Sequence, residues 1–522
     1  MDSKAISAPQ ITRVGSYTLR CANPASLASL GSSVRLGALD QFVAPFIPVV
    51  LVYTYNEPSS TVETQSELLP VDRLRRAAEL LLDYYPCLTG RLHIDPKNGI
   101  RSLDRLGSGA ELVMAQCNAR LDEYCQSPHD GTAAPEALTA PFDPALDAVF
   151  QNPVFTIQHT RFACGGVALG MRILHTLCDA EGFFLVVRHL AELYRAVRVS
   201  ETASGGLIGS GSGVLAQTPC TQFYLSELPE SMTPEERQEA LAFRPSLYHL
   251  KPDSDASTTV PAAGSDVPIP PAVEPTPPPV VGRVMRFSGA ELDALKALAT
   301  PPTGKGWIST FDALTAHIYQ RLYLARLQLQ RIHPELSPPE VSRGILISVN
   351  CRPATLLDLP PRYPANALLT PFTSLSHELL ADGPLWAIAR NVHDLVRIDA
   401  DEAKRTACWL GAQPDKNRVE FEFGWPRGSF LVSQWNKFDM YEGALFDVDA
   451  RGEAIRPTLA SPPFTSISTV DGLVYYVATE EQSSSATSTI NNASIDVYLT
   501  LSEPLWPILD QDKDFRRFRS VD

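Results

Sequence analysis

Two apolar, β-branched stretches, Val154 to Arg161 and Gly166 to Leu174, meet at Cys164-Gly165-Gly166, where glycine supplies the positive φ of a hairpin turn. The period then changes. From Phe183 to Tyr194 apolar residues recur at helical spacing, and Arg195 and Arg198 follow where a helix C-terminus favours cations. The pattern therefore predicts strand, turn, strand, short loop and helix between 154 and 198. Upstream, Val71 to Tyr85 has helical periodicity, stopped by Pro86 and Gly90, with a strand starting at Arg91. Helices and short strands interleave here, as in a mixed sheet covered by helices.

Downstream, Ser309-Thr310-Phe311-Asp312-Ala313 reads as an N-cap opening a long amphipathic helix through Leu314, Ile318, Leu322, Ala325 and Leu329. Gly344 to Pro353 reads as a buried strand that delivers Asn350 and Arg352 at its end. Gly472 to Ala478 and Ser494 to Leu501 pair as strands around a Ser/Thr/Asn loop. Between the halves, Pro252 to Gly282 loses all periodicity and closes on Pro277-Pro278-Pro279, a composition that cannot bury a core. The expected organisation is an N-terminal domain over 1–230, a Pro-rich crossover linker over 231–282 and a C-terminal domain over 283–522. A Gly/Ser loop at Ser204 to Gly213 has no strand feeding it and no Lys-Ser/Thr after it, so it does not read as a phosphate loop.

A chain of 522 residues exceeds one ordinary core, and 44% apolar residues suffice to fill two. The net charge of −15 argues against nucleic acid or an anionic membrane as partner, because a phosphate footprint needs clustered cations. The N-terminus lacks the apolar core of a signal peptide, and the most apolar run, Phe42 to Tyr53, is short and broken by Pro45 and Pro48. No export and no spanning helix are expected, and the cytoplasm is the expected location. Nine cysteines without a Cys-x-x-Cys suit reduced thiols in a cytosol, with Cys178 read as a small buried hydrophobe.

Candidate chemistry concentrates at His175-Thr176-Leu177-Cys178-Asp179-Ala180-Glu181-Gly182, where a base, a carboxylate and a glycine turn coincide at a strand end. His-x-x-x-Asp alone is weak, since about one is expected by chance among ten histidines. A second one, His249 to Asp253, lies in a polar Pro/Ser segment with no strand before it and reads as accidental.

Six blocks together resemble a known family. Tyr85-Pro86 with Gly90-Arg91-Leu92, the His175 to Gly182 segment, Ser309 to Leu314, Ser348 to Arg352, Pro364-Ala365-Asn366-Ala367 and Ser433-Gln434-Trp435 follow the order of the BAHD-type acyl-CoA-dependent acyltransferases. The likeness looks closest to the fungal branch that includes trichothecene acetyltransferases. It implies an α/β fold of two similar chloramphenicol-acetyltransferase-like domains, each a mixed sheet with helices, with a channel between them. It further implies a monomer without metal, taking acyl-CoA, acetyl-CoA first, as co-substrate and a small hydroxylated specialised metabolite as acceptor. His175 would stand in mid-channel as general base, the task for which an imidazole is the commonest side chain. Asp179 would point away and pair with Arg352 as a structural ion pair, while Ser433 and Trp435 would serve the oxyanion. The residues contacting CoA are not assigned by the resemblance. Lys416, Arg418, Arg427 and Lys437 lie close to Ser433 in sequence and are equally explained as a solvated charged loop.

One block departs from the family. Its Asp-Phe-Gly-Trp-Gly element is due after Tyr441, where this chain has Ala444-Leu445-Phe446-Asp447-Val448-Asp449. Phe421-Glu422-Phe423-Gly424-Trp425 resembles that element but lies upstream of Ser433, in the wrong order. A serine hydrolase is excluded by the absence of Gly-x-Ser-x-Gly, and a metalloprotease by the absence of His-Glu-x-x-His. The rival reading is a protein of the same fold that binds or rearranges a small metabolite without transferring an acyl group.

Overall fold

The computed structural model describes residues 9–28, 30–57, 67–125, 133–202, 215, 224–252, 277–304, 306–338, 340–449, 451–481 and 493–518. The Gly/Ser loop at 204–213, the stretch 253–276 of the Pro-rich segment and most of the Ser/Thr/Asn loop lie outside them. Two six-stranded mixed sheets organise the chain. The first runs, in spatial order, Ile11–Leu19, Ala110–Cys117, Phe155–Phe162, Val167–Leu174, Pro48–Tyr55 and Leu459–Ser461. The second runs Val280–Phe287, Ile495–Ser502, Leu473–Ala478, Phe430–Gln434, Gly344–Ile347 and Phe372–Ser374.

The periodicities explain these elements. Phe155–Phe162 and Val167–Leu174 form the predicted antiparallel hairpin, turning at Gly165 with φ +84°. Every residue of Val167–Leu174 is buried, which is why the segment is apolar throughout and does not alternate. The helices Val71–Tyr84 and Ala180–Thr202 pack on one another in the core of the first sheet. Ser309 accepts from Asp312 N in a capping box that opens the helix Thr310–Ile332, which packs in the second core with the helix Leu385–Leu395. No described helix is long and apolar enough to cross a membrane.

The predicted strand Gly344 to Pro353 is split. Gly344–Ile347 stays in the sheet, while Val349–Asn350 joins Leu368–Leu369 in a separate two-stranded ribbon. The break at Ser348 turns Asn350 and Arg352 out of the sheet toward the first half. Within 231–282, the helix Pro234–Ala242 is capped by Thr233, Tyr248–Leu250 pairs with Val419–Phe421, and Val280 to Gly282 already belong to the second sheet.

The two halves are stitched together by late parts of the chain. Leu459–Ser461 completes the first sheet against Pro48–Tyr55. The divergent block before it is a clip: Ala444 O accepts from Tyr55 Oη at 2.8 Å, and Phe446 meets Tyr55 and Tyr194 edge-on. Asp447 accepts from Arg198 at 2.7 Å, Leu69 N at 3.1 Å and Tyr194 Oη at 3.3 Å, with Arg73 at 3.7 Å. A buried carboxylate is stable only with such partners.

Candidate active site

The strand Val167–Leu174 ends at His175, whose N–H donates to Ile47 O at 2.9 Å. Leu177 N returns to Leu174 O at 2.9 Å, and the helix Ala180–Thr202 starts directly after this turn. Asp179 caps that helix: its carbonyl accepts from Phe183 N at 2.9 Å and its Oδ1 from Gly182 N at 3.0 Å. Gly182 is required by close approach, since a Cβ there would lie 1.8 Å from Pro364 O. The Pro364 to Ala367 segment is thereby pressed against the helix start.

Asp179 and Arg352 form a bidentate pair, Nη1 to Oδ2 and Nη2 to Oδ1, both at 2.8 Å. Asp179 is 1% exposed and Arg352 9%. Ala367 N supplies a further bond to Oδ2 at 3.0 Å, so the carboxylate meets four donors. Arg352 spends its other donors on Tyr363 O at 3.0 Å, Ala365 O at 2.6 Å and Asn350 Oδ1 at 3.2 Å. Geometry of this kind welds the His175 turn to the second half of the chain.

Asn366 ties the same segment to the histidine. Its Nδ2 donates to Asp40 Oδ1 at 2.6 Å and to His175 O at 2.8 Å, which uses both amide hydrogens. Its Oδ1 therefore faces His175 Nδ1, 3.1 Å away, as an acceptor. Nδ1 must then carry the proton, and the lone pair of the imidazole is left on Nε2. Asp40, fully buried, also accepts from Asn366 N and Gly37 N, both at 2.9 Å.

Burial pushes the Asp40 carboxyl up from 3.8 to about 7, partly offset by its bonds to Asn366 and Gly37. The folded pKa lies above the unfolded one, so the folded state holds a proton that the unfolded state has released between about pH 4 and pH 7. Stability from this group is full below pH 4 and falls as pH rises through 7. Melting midpoints of wild type and Asp40→Asn, measured from pH 4.5 to 8, should therefore converge at the acid end and separate at the alkaline end, with the variant higher. Parallel curves would refute the assignment.

A cavity of about 790 Å³ opens beside this network, with Asp179, Glu181, Arg352, Ser433 and Trp435 in its wall. His175 does not belong to that wall; it is half-buried, with its Nδ1 edge on Asn366. The mid-channel position expected for it is therefore not reproduced by this cavity. Trp435 donates Nε1–H to Ser433 Oγ at 2.9 Å and packs on Phe184 and Tyr475. Its indole proton is thus spent on holding Ser433, and the Ser433 hydroxyl hydrogen is the donor that remains for a ligand.

Arg188, Arg362, Arg397 and Lys437 add positive groups to the wall, Arg188 paired with Asp439. Of Lys416, Arg418, Arg427 and Lys437, which lie near Ser433 in sequence, only Lys437 lines the cavity. Lys416 is buried, its ammonium pushed down to about 7 by burial, and it donates to the carbonyls of Leu410 and Gly411. Cys178 is buried too, and burial reinforced by Asp179 and Asp40 pushes its thiol well above the ordinary range, so it packs as a hydrophobe. His249 pairs with Glu420 and Glu422 on an exposed strand away from the cavity, and its Asp253 lies outside the described residues. Phe421 and Trp425 do not line the cavity, and neither does the divergent block at 444–449.

A family model described as Transferase family matches residues 10–445. Among curated proteins, the chain is similar to the acyltransferase GLAUCE of Arabidopsis thaliana, 26% identical over 374 residues that cover 71% of this chain and 72% of that one. It is also similar to hydroxycinnamoyltransferase 2 of Oryza sativa subsp. japonica, 24% identical over 72% of this chain and 75% of that one. Among solved structures, F. graminearum TRI101 complexed with coenzyme A and deoxynivalenol aligns with TM-score 0.65 and 18% identity over 93% of this chain and 98% of that one. Vinorine synthase aligns with TM-score 0.59 and 14% identity over 98% and 99%.

Proposed function

Because the chain belongs to the Transferase family, the BAHD acyltransferases, we propose that it moves an acyl group from acyl-CoA to a hydroxyl of a small specialised metabolite, with His175 as general base. The single observation that carries the base assignment is the Asp40–Asn366 amide, which commits His175 Nδ1 to donating and leaves Nε2 free to accept a proton. In this reading Nε2 takes the hydroxyl proton as the acceptor oxygen attacks the thioester carbonyl. The oxyanion receives the Ser433 hydroxyl, the C–S bond breaks, and the imidazolium returns its proton to the CoA thiolate. Asp179 and Arg352 position the turn and stay out of the chemistry. Arg188, Arg352, Arg362, Arg397 and Lys437 stand in a wall that also holds Asp179, Glu181, Asp312 and Asp439, and they are the groups able to meet an anionic donor in a chain whose net charge is −15. Acetyl-CoA as donor, a monomer in the cytoplasm and the fungal trichothecene-acetyltransferase-like branch complete the reading.

Isothermal titration with acetyl-CoA, beside His175→Ala, tests it. Micromolar binding by both proteins is the expected outcome, because the base is reserved for chemistry. Absence of binding to either would favour the non-transferring reading.

A further inference from the structure

Of the exposed large apolar side chains among the described residues, Trp307 alone lines the cavity, and it is 61% exposed. A single exposed apolar side chain on an open surface is ordinary, but an open indole set into a cavity wall is a contact waiting for a ligand. Its setting is firm. Ile308, the next residue, is buried in the second core, and Ser309 then caps the helix Thr310–Ile332. His393 meets the indole edge-on with ring centroids 5.7 Å apart. That imidazole is itself fixed, because its Nδ1 donates to Asp312 Oδ2 at 2.9 Å, the oxygen that also takes Ser309 N at 2.8 Å. From the helix Gly289–Leu298, Lys296 brings its ammonium to 5.9 Å from the indole centroid.

Burial gives the cavity a direction. Trp435, bonded to the Ser433 hydroxyl, is 7% exposed and belongs to the closed part of the wall, whereas Trp307 stands where the wall meets solvent. A donor whose thioester reaches Ser433 therefore leaves its other end on the open side. In acyl-CoA that end is a nucleotide, a flat purine with phosphates attached. An indole with an ammonium beside it offers the two matching contacts, a stacking face for the base and a charge for a phosphate. We propose that Trp307 is the platform on which the purine of the acyl-CoA donor stacks, with Lys296 meeting a phosphate of the same nucleotide, an assignment that rests on the donor reading above. An aromatic acyl chain or an aromatic acceptor presents the same ring chemistry, and the test separates these sources.

The test is titration of the full chain with acetyl-CoA, whose purine is its one aromatic group, and with S-acetylpantetheine, which lacks the nucleotide. Trp307→Leu should bind acetyl-CoA at least about 10-fold more weakly, while its affinity for S-acetylpantetheine and its melting midpoint match wild type. Trp307→Phe keeps a flat ring and should stay within about 3-fold of wild type toward acetyl-CoA. Lys296→Gln should flatten the salt dependence of acetyl-CoA binding, and an unchanged slope removes Lys296 from the site. Equal acetyl-CoA affinity in Trp307→Leu overturns the proposal and leaves the indole to an aromatic acyl chain or acceptor. The same loss toward both thioesters, or the same loss in the Phe and Leu variants, overturns it as well. A wild type that binds neither thioester overturns the donor reading itself, whereas a wild type that binds acetyl-CoA beside an unaffected Trp307→Leu overturns this assignment alone.

Discussion

His175→Ala lowers acyl-transfer turnover by at least about 100-fold and leaves the melting midpoint close to wild type. The first half of that expectation follows from the tautomer. Asn366 can only accept at Nδ1, since Asp40 Oδ1 and His175 O take both of its amide hydrogens, so the imidazole offers Nε2 as a fixed base. The second half follows from packing. His175 is half-buried, donates its backbone N–H to Ile47 O, and gives Asn366 its backbone carbonyl, and these bonds survive truncation of the side chain. Turnover should be followed by release of free CoA with a hydroxylated acceptor, beside acetyl-CoA affinity. A variant within about 10-fold of wild type would remove the histidine from the chemistry, and a variant that loses affinity and turnover together would make it a binding residue.

What the sequence made legible was local. The hairpin before His175, the helix after Asp179 and the Ser309 cap all rest on periodicity and capping over a few residues, and each stands where the pattern put it. The site needed more than that. Asp40 is bonded to Asn366 across 326 positions of chain, and no spacing rule reaches so far. The left-handed backbone of Arg362 gave no signal either, because only glycine, asparagine or aspartate announces that conformation in a sequence. The three-residue strand Leu459–Ser461 is too short to show a period. The family resemblance supplied the Arg352 pairing that periodicity could not, and it singled out residues 444–449 as a departure. Those residues bind Arg198, Tyr194 and Tyr55 as a clip between halves and do not line the cavity.

Asp179→Ala should act on the fold before it acts on the reaction, lowering stability by roughly 3–5 kcal/mol. Removing the carboxylate leaves the Arg352 guanidinium, 9% exposed, with carbonyl partners and only the more distant Glu181 carboxylate at 3.8 Å, and it deprives Gly182 N and Ala367 N of their acceptor. The cost therefore comes from a buried charge that has lost its bidentate partner and from a lost helix cap together. Arg352→Met should be destabilising for the mirror-image reason, and the double variant should cost less than the two single changes added, because removing both partners leaves no charge unpaired. Thermal or urea unfolding of the four proteins measures this directly, and an unchanged midpoint in Asp179→Ala would end the ion-pair assignment. The contrast with His175→Ala carries the weight: one residue of the motif should be dispensable for folding and needed for turnover, while the other, four positions on, fixes the turn that presents it.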